Sequence, residues 1–286
     1  MSEKEAQALI AKAEKKASSF SWFGGSGKYE EAAELYCKAA NQFKLAKRWQ
    51  EAGQAFCKAS EMLLQNKEVD EAASSLIDAA RCFKKCSPED AISSLRKAIE
   101  IMTDKGRFNA AANHQKEIAE IYESDLVDLQ RAMDAYEIAA DWYAGEERPA
   151  VANSCWLKVA HFAAQLEQYD KAIERFEQVA NASVDNQLTR WSLKDYFLKA
   201  GLCHLCLGDA VGTQRAIERY CDMDVTFGST RECQFLQSIL EAYEAGDVEM
   251  FTQKVFEFDQ LMKLDNWKTT VLLRIKRSIS EEPALT

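Results

Sequence analysis

The sequence predicts an all-α protein, a twisted solenoid of antiparallel helical hairpins capped by a C-terminal helical bundle. Three observations predict this class. A short alanine pattern, A-x6-A, recurs about every 20 residues through much of the chain. The 286 residues include only 11 Gly and 3 Pro, whereas a β-sandwich or barrel needs many turns. Hydrophobic residues make up 47% and charged residues 29%, which is typical of a folded chain.

The alanine pattern justifies each predicted repeat helix. A spacing of seven residues puts both alanines on one helix face, where small side chains let neighbouring helices approach closely. Each repeat is predicted to be a helix of about 14 residues, roughly 21 Å long, with a short connector. Two such helices make a hairpin of about 40 residues, which is similar in design to a tetratricopeptide repeat (TPR) of about 34. The anchor pairs are Ala32/Ala39, Ala52/Ala59, Ala72/Ala79, Ala91/Ala98, Ala112/Ala119 and Ala132/Ala139, with weaker copies at Ala152/Val159 and Ala172/Val179.

The repeat pattern fades after residue 184, but the chain beyond it still has helical periodicity. From Leu188 to Ile279 its apolar density suggests a compact bundle that closes the solenoid, as a terminal cap must. We therefore predict two regions. Residues 1–187 hold an N-terminal helix, an aromatic loop and TPR-like repeats, and residues 188–286 form a helical bundle with a short flexible tail.

The charge distribution argues against a nucleic-acid binder. The chain has 36 basic and 46 acidic residues, a net charge of −10, whereas phosphate binding needs an excess of Lys and Arg. Residues 1–116 hold 19 basic and 16 acidic residues, and residues 117–286 hold 17 and 30. This asymmetry suggests that opposite ends of the chain face partners of opposite charge.

The cysteines and the N-terminus indicate the compartment. Nine cysteines, an odd number without regular spacing, are typical of reduced cytosolic thiols. The charged N-terminal stretch lacks the apolar core of a signal peptide. No apolar run approaches the roughly 18 residues of a spanning helix. We expect a cytoplasmic protein that is peripheral on the cytosolic face of membranes.

The segment Ser18–Tyr29 is an unusual aromatic loop. Phe20, Trp22 and Phe23 lie among Ser and Gly, close to several lysines. Such a loop suits insertion into a membrane interface. The alternative is that the three rings pack on the first hairpin and cap its core, and the spacing alone does not distinguish the two. The glycines lack the order of a phosphate-binding loop.

No residue pattern predicts catalysis, a metal or a cofactor. Cys203 and Cys206 form a C-x-x-C, half of a zinc site, but no second ligand pair follows. Their interpretation as buried small side chains in a helix is favoured. His114 and His161 occur singly, without an arrangement that indicates a nucleophile.

Several segments together resemble the α/β branch of the soluble NSF attachment proteins (SNAPs). The resemblance covers essentially the whole chain. It implies an adaptor that coats the assembled SNARE four-helix bundle, made of syntaxin-like and other SNAREs, and recruits the AAA+ ATPase NSF to take the bundle apart. The matching segments are SWFGGSGKYEEAAELYCKAANQFKLAK, SPEDAI, KAIEIMTDKGRF, AEIYESDLVD, FAAQLEQYDKAIE, SLKDYFLKAGLCHL, TRECQFL and LDNWKTTVLLRIK.

The resemblance also implies site residues. Phe20, Trp22 and Phe23 match the family's membrane-touching loop, which favours the membrane interpretation. Positions that match the family's basic SNARE-binding face are Lys47, Lys84, Lys85, Arg107 and Arg231. Arg190 and Trp191 follow a contact segment of the family and are assigned to SNARE binding as well. Positions that match its NSF-binding end are Asp209, Glu241, Glu244 and Leu285.

The sequence departs from the family pattern at a few of these positions. Two positions that are basic in animal members are Asn113 and Ser154 here, and one acidic position is Ala245. Pro283 and Ala284 interrupt the acidic run before Leu285. The strength of ATPase stimulation is therefore open. A generic TPR-like scaffold for another multiprotein machine is the alternative function, and a zinc- or thiol-dependent enzyme centred on Cys203 and Cys206 is a second one.

Overall fold

A computed structural model describes residues 3–19 and 26–281. Every regular element among these residues is a helix, so the predicted all-α helical-repeat fold is confirmed. The chain divides into two compact units, Met1–Ala152 and Asn153–Thr286. The predicted boundary between residues 187 and 188 remains a prediction.

In the part of the first unit that the structure describes, the first seven helices pack in successive pairs, and an eighth helix begins. From the second helix to the seventh, the turns span only three or four residues, so neighbouring helices there run antiparallel. The helices are α1 Glu3–Ser18, α2 Ser26–Leu45, α3 Trp49–Gln65, α4 Val69–Phe83, α5 Pro88–Asp104, α6 Phe108–Ser124, α7 Leu129–Gly145 and α8 Pro149–Gln165.

The anchor alanines form the buried seams that the repeat predicts. Ala32, Ala52 and Ala72 are each 0% exposed, and the larger Tyr36 and Phe56 are 4% exposed beside them. Gly53 on α3 is also at a close helix contact, because a Cβ at that position would lie 2.5 Å from the ring of Phe83. The helices therefore approach as closely as small side chains allow.

The repeat length follows from the turns. Most of the helices from α3 to α8 have 17 residues, so a three-residue turn completes a period of 20. A residue in the left-handed conformation reverses the chain in most turns, and among the described residues of the first unit one of these is glycine. These residues are Lys47, Lys67, Gly106, Val127 and Glu147.

The second unit continues α8 and adds six helices. They are α9 Tyr169–Val184, α10 Leu193–Cys206, α11 Ala210–Met223, α12 Arg231–Glu244, α13 Val248–Leu261 and α14 Asn266–Glu281, with 3-10 turns at Arg190–Ser192 and Phe227–Ser229.

The second unit holds an aromatic and ionic core. Phe197 stacks on Tyr220 at 4.4 Å between ring centroids. Asp195 lies 2.6 Å from the Nζ of Lys268 and 2.8 Å from that of Lys199, which is 8% exposed. Because a buried ion pair is strongly destabilised by loss of one partner, this network fixes α14 against α10.

No helix within residues 3–19 and 26–281 has both the length and the apolar character needed to cross a bilayer.

Candidate functional site

Three of the predicted basic positions lie at one edge of the first unit. Lys47 follows the end of α2, and Lys84 and Lys85 follow the end of α4. α2 and α4 run in the same direction, since each is antiparallel to α3, so their ends lie on the same side. All three lysines are exposed. We call this side, defined by Lys47, Lys84 and Lys85, the lysine edge.

Arg107 lies at the opposite edge of the same unit. It precedes α6, and its Nη1 lies 3.1 Å from Oδ1 of Asp70 at the start of α4. The neighbouring Lys105 Nζ contacts the other oxygen of Asp70 at 2.7 Å. A hydrogen bond from Lys105, with the charges of Lys105 and Arg107, lowers the pKa of the Asp70 carboxyl, although desolvation opposes this. The fold therefore brings the three lysines together and leaves Arg107 apart from them.

Intramolecular contacts restrain Lys84 and Asn113 in the first unit. The Nζ of Lys84 lies 3.8 Å from Oε1 of Glu117 on α6. A hydrogen bond to His114 and the charge of Lys84 lower the pKa of Glu117, although burial opposes this. Asn113 on α6 accepts a hydrogen bond from the Tyr143 hydroxyl at 2.6 Å. Lys85 and Lys47 are the more available cations.

In the second unit, Arg190 and Trp191 begin a 3-10 turn that faces solvent. The Nη2 of Arg190 lies 3.5 Å from Oδ1 of Asp224. Burial opposes ionisation of Asp224, but hydrogen bonds from Thr226 together with Arg190 hold its pKa below the usual value. Trp191 is 74% exposed, and its Nε1 donates to the carbonyl oxygen of Leu188 at 2.8 Å. An exposed indole fixed in this way is typical of a protein-binding anchor.

Arg231 is the first residue of α12, and it lines a groove between α12 and α13. The groove has a volume of about 280 Å³ and includes the ring of Phe235. Phe235 stacks on Phe258 at 4.1 Å between centroids. Arg231 thus lies on the surface of a rigid aromatic pair.

The predicted acidic positions come together at the other end of α12. Glu241 and Glu244 are exposed one turn apart near the end of this helix. Asp209 is 32 residues earlier in the sequence, but its neighbour Gly208 approaches the last turn of α12, where a Cβ would lie 3.4 Å from the Tyr243 hydroxyl. Asp209 also caps α11, because its Oδ1 accepts from the Gly212 amide at 2.7 Å.

Sequence reasoning missed Asp247 in this group. Asp247 lies in the short turn after α12 and caps α13 by accepting from the Met250 amide at 2.8 Å. The two caps share the dipeptide Gly-Asp, at Gly208 and Gly246, and both glycines have positive φ. This repeated turn signal is visible in the sequence. We call Asp209, Glu241, Glu244 and Asp247 the acidic edge.

Two members of the acidic edge, Glu241 and Glu244, oppose the local electrostatics of α12. The C-terminal end of a helix carries partial negative charge, so cations stabilise it and carboxylates do not. The last turn of α12 has no basic residue. A surface that departs from a local stability rule in this way is a candidate for function.

Other predicted site residues fall outside the described part of the chain. Phe20, Trp22 and Phe23 lie between α1 and α2, and Leu285 lies beyond α14. Lys28, at the start of α2, donates to the carbonyl oxygen of Ser19 at 3.1 Å. The end of α1 and the start of α2 therefore stay close together on either side of the aromatic segment.

Cys203 and Cys206 lie in α10 within the second unit. Cys203 is 0% exposed, and burial raises the pKa of its thiol far above the usual value. Burial also raises the pKa of Cys206 to about 12. Both are protonated thiols at neutral pH, whereas the thiolate is the nucleophile and the metal ligand. Within residues 3–19 and 26–281, no group of three or more His, Cys, Asp and Glu side chains is arranged to hold a metal ion.

Comparison with known proteins identifies the family. The model of the soluble NSF attachment protein family, SNAP, matches residues 4–280. The chain is 49% identical to the alpha-soluble NSF attachment protein of Mus musculus, over 96% of this chain and 95% of that protein. It is 49% identical to the beta form of Bos taurus, over 97% and 94% of the two chains. It is 50% identical to the vesicular-fusion protein SEC17 of Coprinopsis cinerea, over 98% of each. The chain therefore belongs to the soluble NSF attachment protein family.

Proposed function

We propose that this protein is an adaptor that binds assembled SNARE complexes and recruits and stimulates NSF, so that the complexes are disassembled in vesicle fusion and intracellular transport. Family membership over residues 4–280 supports the class of partner. The observation that carries the proposal is the acidic edge, where Gly208, next to Asp209, approaches the end of α12, and where Glu241 and Glu244 lie against the preference of the α12 dipole.

In the first unit, the lysine edge is the proposed contact surface for the acidic SNARE bundle. Lys47, Lys84 and Lys85 present three exposed ammonium groups on one side. Each exposed ion pair contributes only about 0–1 kcal/mol to binding, so the proposed binding of the lysine edge to the SNARE bundle consists of several weak contacts. Because such contacts are exchanged easily, the adaptor can shift along the bundle while the ATPase pulls.

Trp191 supplies the proposed apolar anchor in the second unit. Its indole is 74% exposed, and Arg190 and Arg231 belong to the same proposed SNARE-binding set. Aromatic and arginine side chains dominate the binding energy of most protein interfaces. We therefore assign Trp191 a larger share of the affinity than any single lysine.

The acidic edge is the proposed contact for NSF, together with Leu285. A carboxylate cluster attracts a basic partner surface, and complementary potentials raise the association rate. In this proposal Leu285, on the C-terminal tail, makes an apolar contact with NSF in addition to the electrostatic contact of the acidic edge.

Phe20, Trp22 and Phe23 are the proposed membrane contact. Three large apolar rings among small polar residues suit the interface between headgroups and acyl chains, and Lys15, Lys16 and Lys28 flank them. In this proposal the protein works on the cytosolic face of membranes as a peripheral protein. Several copies on one SNARE bundle would gain avidity from the membrane and from each other.

Disassembly of a purified SNARE complex by NSF and ATP tests the function. Wild-type protein is expected to support disassembly. Leu285→Ala is expected to bind the complex but to stall disassembly, whereas Thr286→Ala, at the next position, is the matched control and should behave as wild type. If wild-type protein binds neither the SNARE complex nor NSF, the proposal is wrong and the generic TPR-like scaffold takes its place.

A further inference from the structure

The outer face of α13 and α14 contains an apolar cavity that the proposed function does not use. It has a volume of about 140 Å³ and is lined mainly by Phe251, Val255, Leu264, Leu272 and Leu273, with Lys276 at its rim. Phe251 and Leu272 are buried, whereas Leu273 is 50% exposed. The exposed leucine and the open cavity leave apolar surface in contact with water. Covering this surface with another apolar group would be favourable.

We propose that Leu285 of this chain docks into the cavity between α13 and α14 and that the tail exchanges between this docked state and a free one. The observations that support it are the size of the cavity, its distance from the end of α14, and the charge at its rim.

The size suits a leucine side chain. An apolar cavity of about 150 Å³ holds a benzene-sized guest, and the isobutyl group of leucine is no larger than benzene. The cavity of about 140 Å³ is therefore large enough for this one side chain. It is too small for a helix, which favours a short extended segment as the occupant.

The distance suits the tail. α14 ends at Glu281, and Leu273 lies eight residues before that end, about 12 Å back along the helix axis. The four residues after Glu281, which end at Leu285, span up to about 13 Å when extended. A second depression adjoins the cavity at Thr252 and Lys276, and its lining includes Val248, Phe256 and the carboxylate-bearing Glu249.

The charge at the rim is complementary. Among residues 3–19 and 26–281, no carboxylate forms an ion pair with the Nζ of Lys276, and Glu282 is the first residue after α14. Pro283 restricts the backbone of the tail and so lowers the entropy lost on docking. A short tether also gives an effective concentration in the millimolar range, so the contact can be weak and still be populated.

Docking would have a consequence for the adaptor, and this consequence alone rests on the proposed function. A docked Leu285 is covered by α13 and α14 and is not available to NSF. Release of the tail would then precede productive recruitment of the ATPase.

Methyl NMR of the full chain tests the docking without NSF or SNAREs present. With labelled Leu and Val methyl groups, the Leu285 methyls, assigned from their absence in Leu285→Ser, are expected to show cross-peaks to Val255, Leu272 and Leu273. Leu273→Glu, a change at a half-exposed position, should abolish the remaining cross-peaks because it places a carboxylate at the mouth of the cavity. Leu261→Glu is the matched control, since Leu261 is 64% exposed on α13 and does not line the cavity, and it should keep them.

Two results would overturn the proposal. One is the absence of these cross-peaks in wild-type protein, with unchanged Val255 and Leu272 resonances in Leu285→Ser. The other is cross-peaks that disappear on dilution, which would mean that the tail of a second copy fills the cavity. If Leu273→Glu does not fold, the comparison of wild type with Leu285→Ser still decides the outcome. Normal docking in a protein that fails to recruit NSF would sink the proposed function and leave this inference intact.

Discussion

The indole Nε1 of Trp267 donates a hydrogen bond to the carbonyl oxygen of His161 at 3.1 Å, and the two rings meet edge to face with centroids 5.5 Å apart. Phe176 completes the cluster, at 5.3 Å from His161 and 5.6 Å from Trp267. This arrangement joins α8, α9 and the start of α14. It also holds an imidazole among aromatic rings, which favours its neutral form.

The first prediction is that His161 makes the second unit sensitive to acid. Burial, followed by the charge of Lys199, lowers the pKa of His161 to about 4, from 6.5. The unfolded chain therefore binds a proton that the folded chain does not between these values, so the stability from this group is lost as pH falls from 6.5 towards 4. Above pH 6.5 the group has no such effect.

Unfolding of wild-type protein and His161→Phe across this range checks the prediction. The phenylalanine keeps an aromatic ring but does not titrate. The stability difference between the two proteins should therefore change with a slope approaching about 1.4 kcal/mol per pH unit between the two pKa values. Parallel pH profiles for the two proteins would show that His161 is not the responsible group.

The second prediction concerns Val127, a β-branched residue with φ of +52° in the turn between α6 and α7. The left-handed conformation brings the Cβ too close to the backbone and is unfavourable by roughly 1–2 kcal/mol for residues other than Gly, Asn and Asp. Val127→Asn should raise the melting temperature, which calorimetry can measure. Val225→Asn is the control, because Val225 is similarly exposed but is not in this conformation. Equal effects of the two changes would contradict the strain argument.

The third prediction separates stability from function at the acidic edge. Glu244→Lys replaces a carboxylate at the end of α12 with a cation, which should stabilise the helix by roughly 0.3–1 kcal/mol and weaken NSF recruitment. Glu249→Lys makes the same change in net charge in the first turn of α13, where a carboxylate is favoured, so it should destabilise the protein. Thermal unfolding and an NSF pull-down measure the two effects. If NSF recruitment by Glu244→Lys equals that of wild type, this residue has no part in the contact.

The fourth prediction concerns the aromatic segment. Replacing Phe20, Trp22 and Phe23 together by Ser should lower binding to vesicles of phosphatidylcholine and phosphatidylserine more than tenfold, because each buried ring contributes roughly 1.5–3 kcal/mol. Flotation of vesicles with bound protein gives the measurement. Trp191→Ser is the control and should lose affinity for the SNARE complex but keep vesicle binding. Unchanged flotation of the triple variant would favour packing of the rings on the first hairpin.

The fifth prediction concerns salt. Binding to a SNARE complex should weaken as salt rises, because exposed charges are screened over about 10 Å at 0.1 M ionic strength. Lys47→Gln with Lys85→Gln should lower both the affinity and its salt dependence. Lys263→Gln is the control, since Lys263 is exposed in the second unit and is already paired with Asp259 at 2.7 Å. Binding that is the same at low and high salt would exclude the lysine edge as the main contact.

The helical class and the period of the repeat were predictable from the amino-acid sequence. Small residues seven apart, such as Ala52 and Ala59, can share only a helix face, and a buried seam between helices needs them. The period followed from local rules, because helix and turn lengths depend on residues that are close in the chain. The turn chemistry was also local, as the Gly-Asp caps before α11 and α13 show.

Which distant residues meet depends on how the helices pack. Arg107 could not be separated from the lysine edge on residue type alone, because the side on which a turn lies depends on how many antiparallel helices precede it. The approach of Gly208 to Tyr243, which joins Asp209 to the end of α12, depends on packing between helices more than 30 residues apart. The low pKa of His161 and the cavity beside Leu273 arise in the same way. Desolvation and cavity shape are properties of the packed volume, and no local pattern in the chain specifies them.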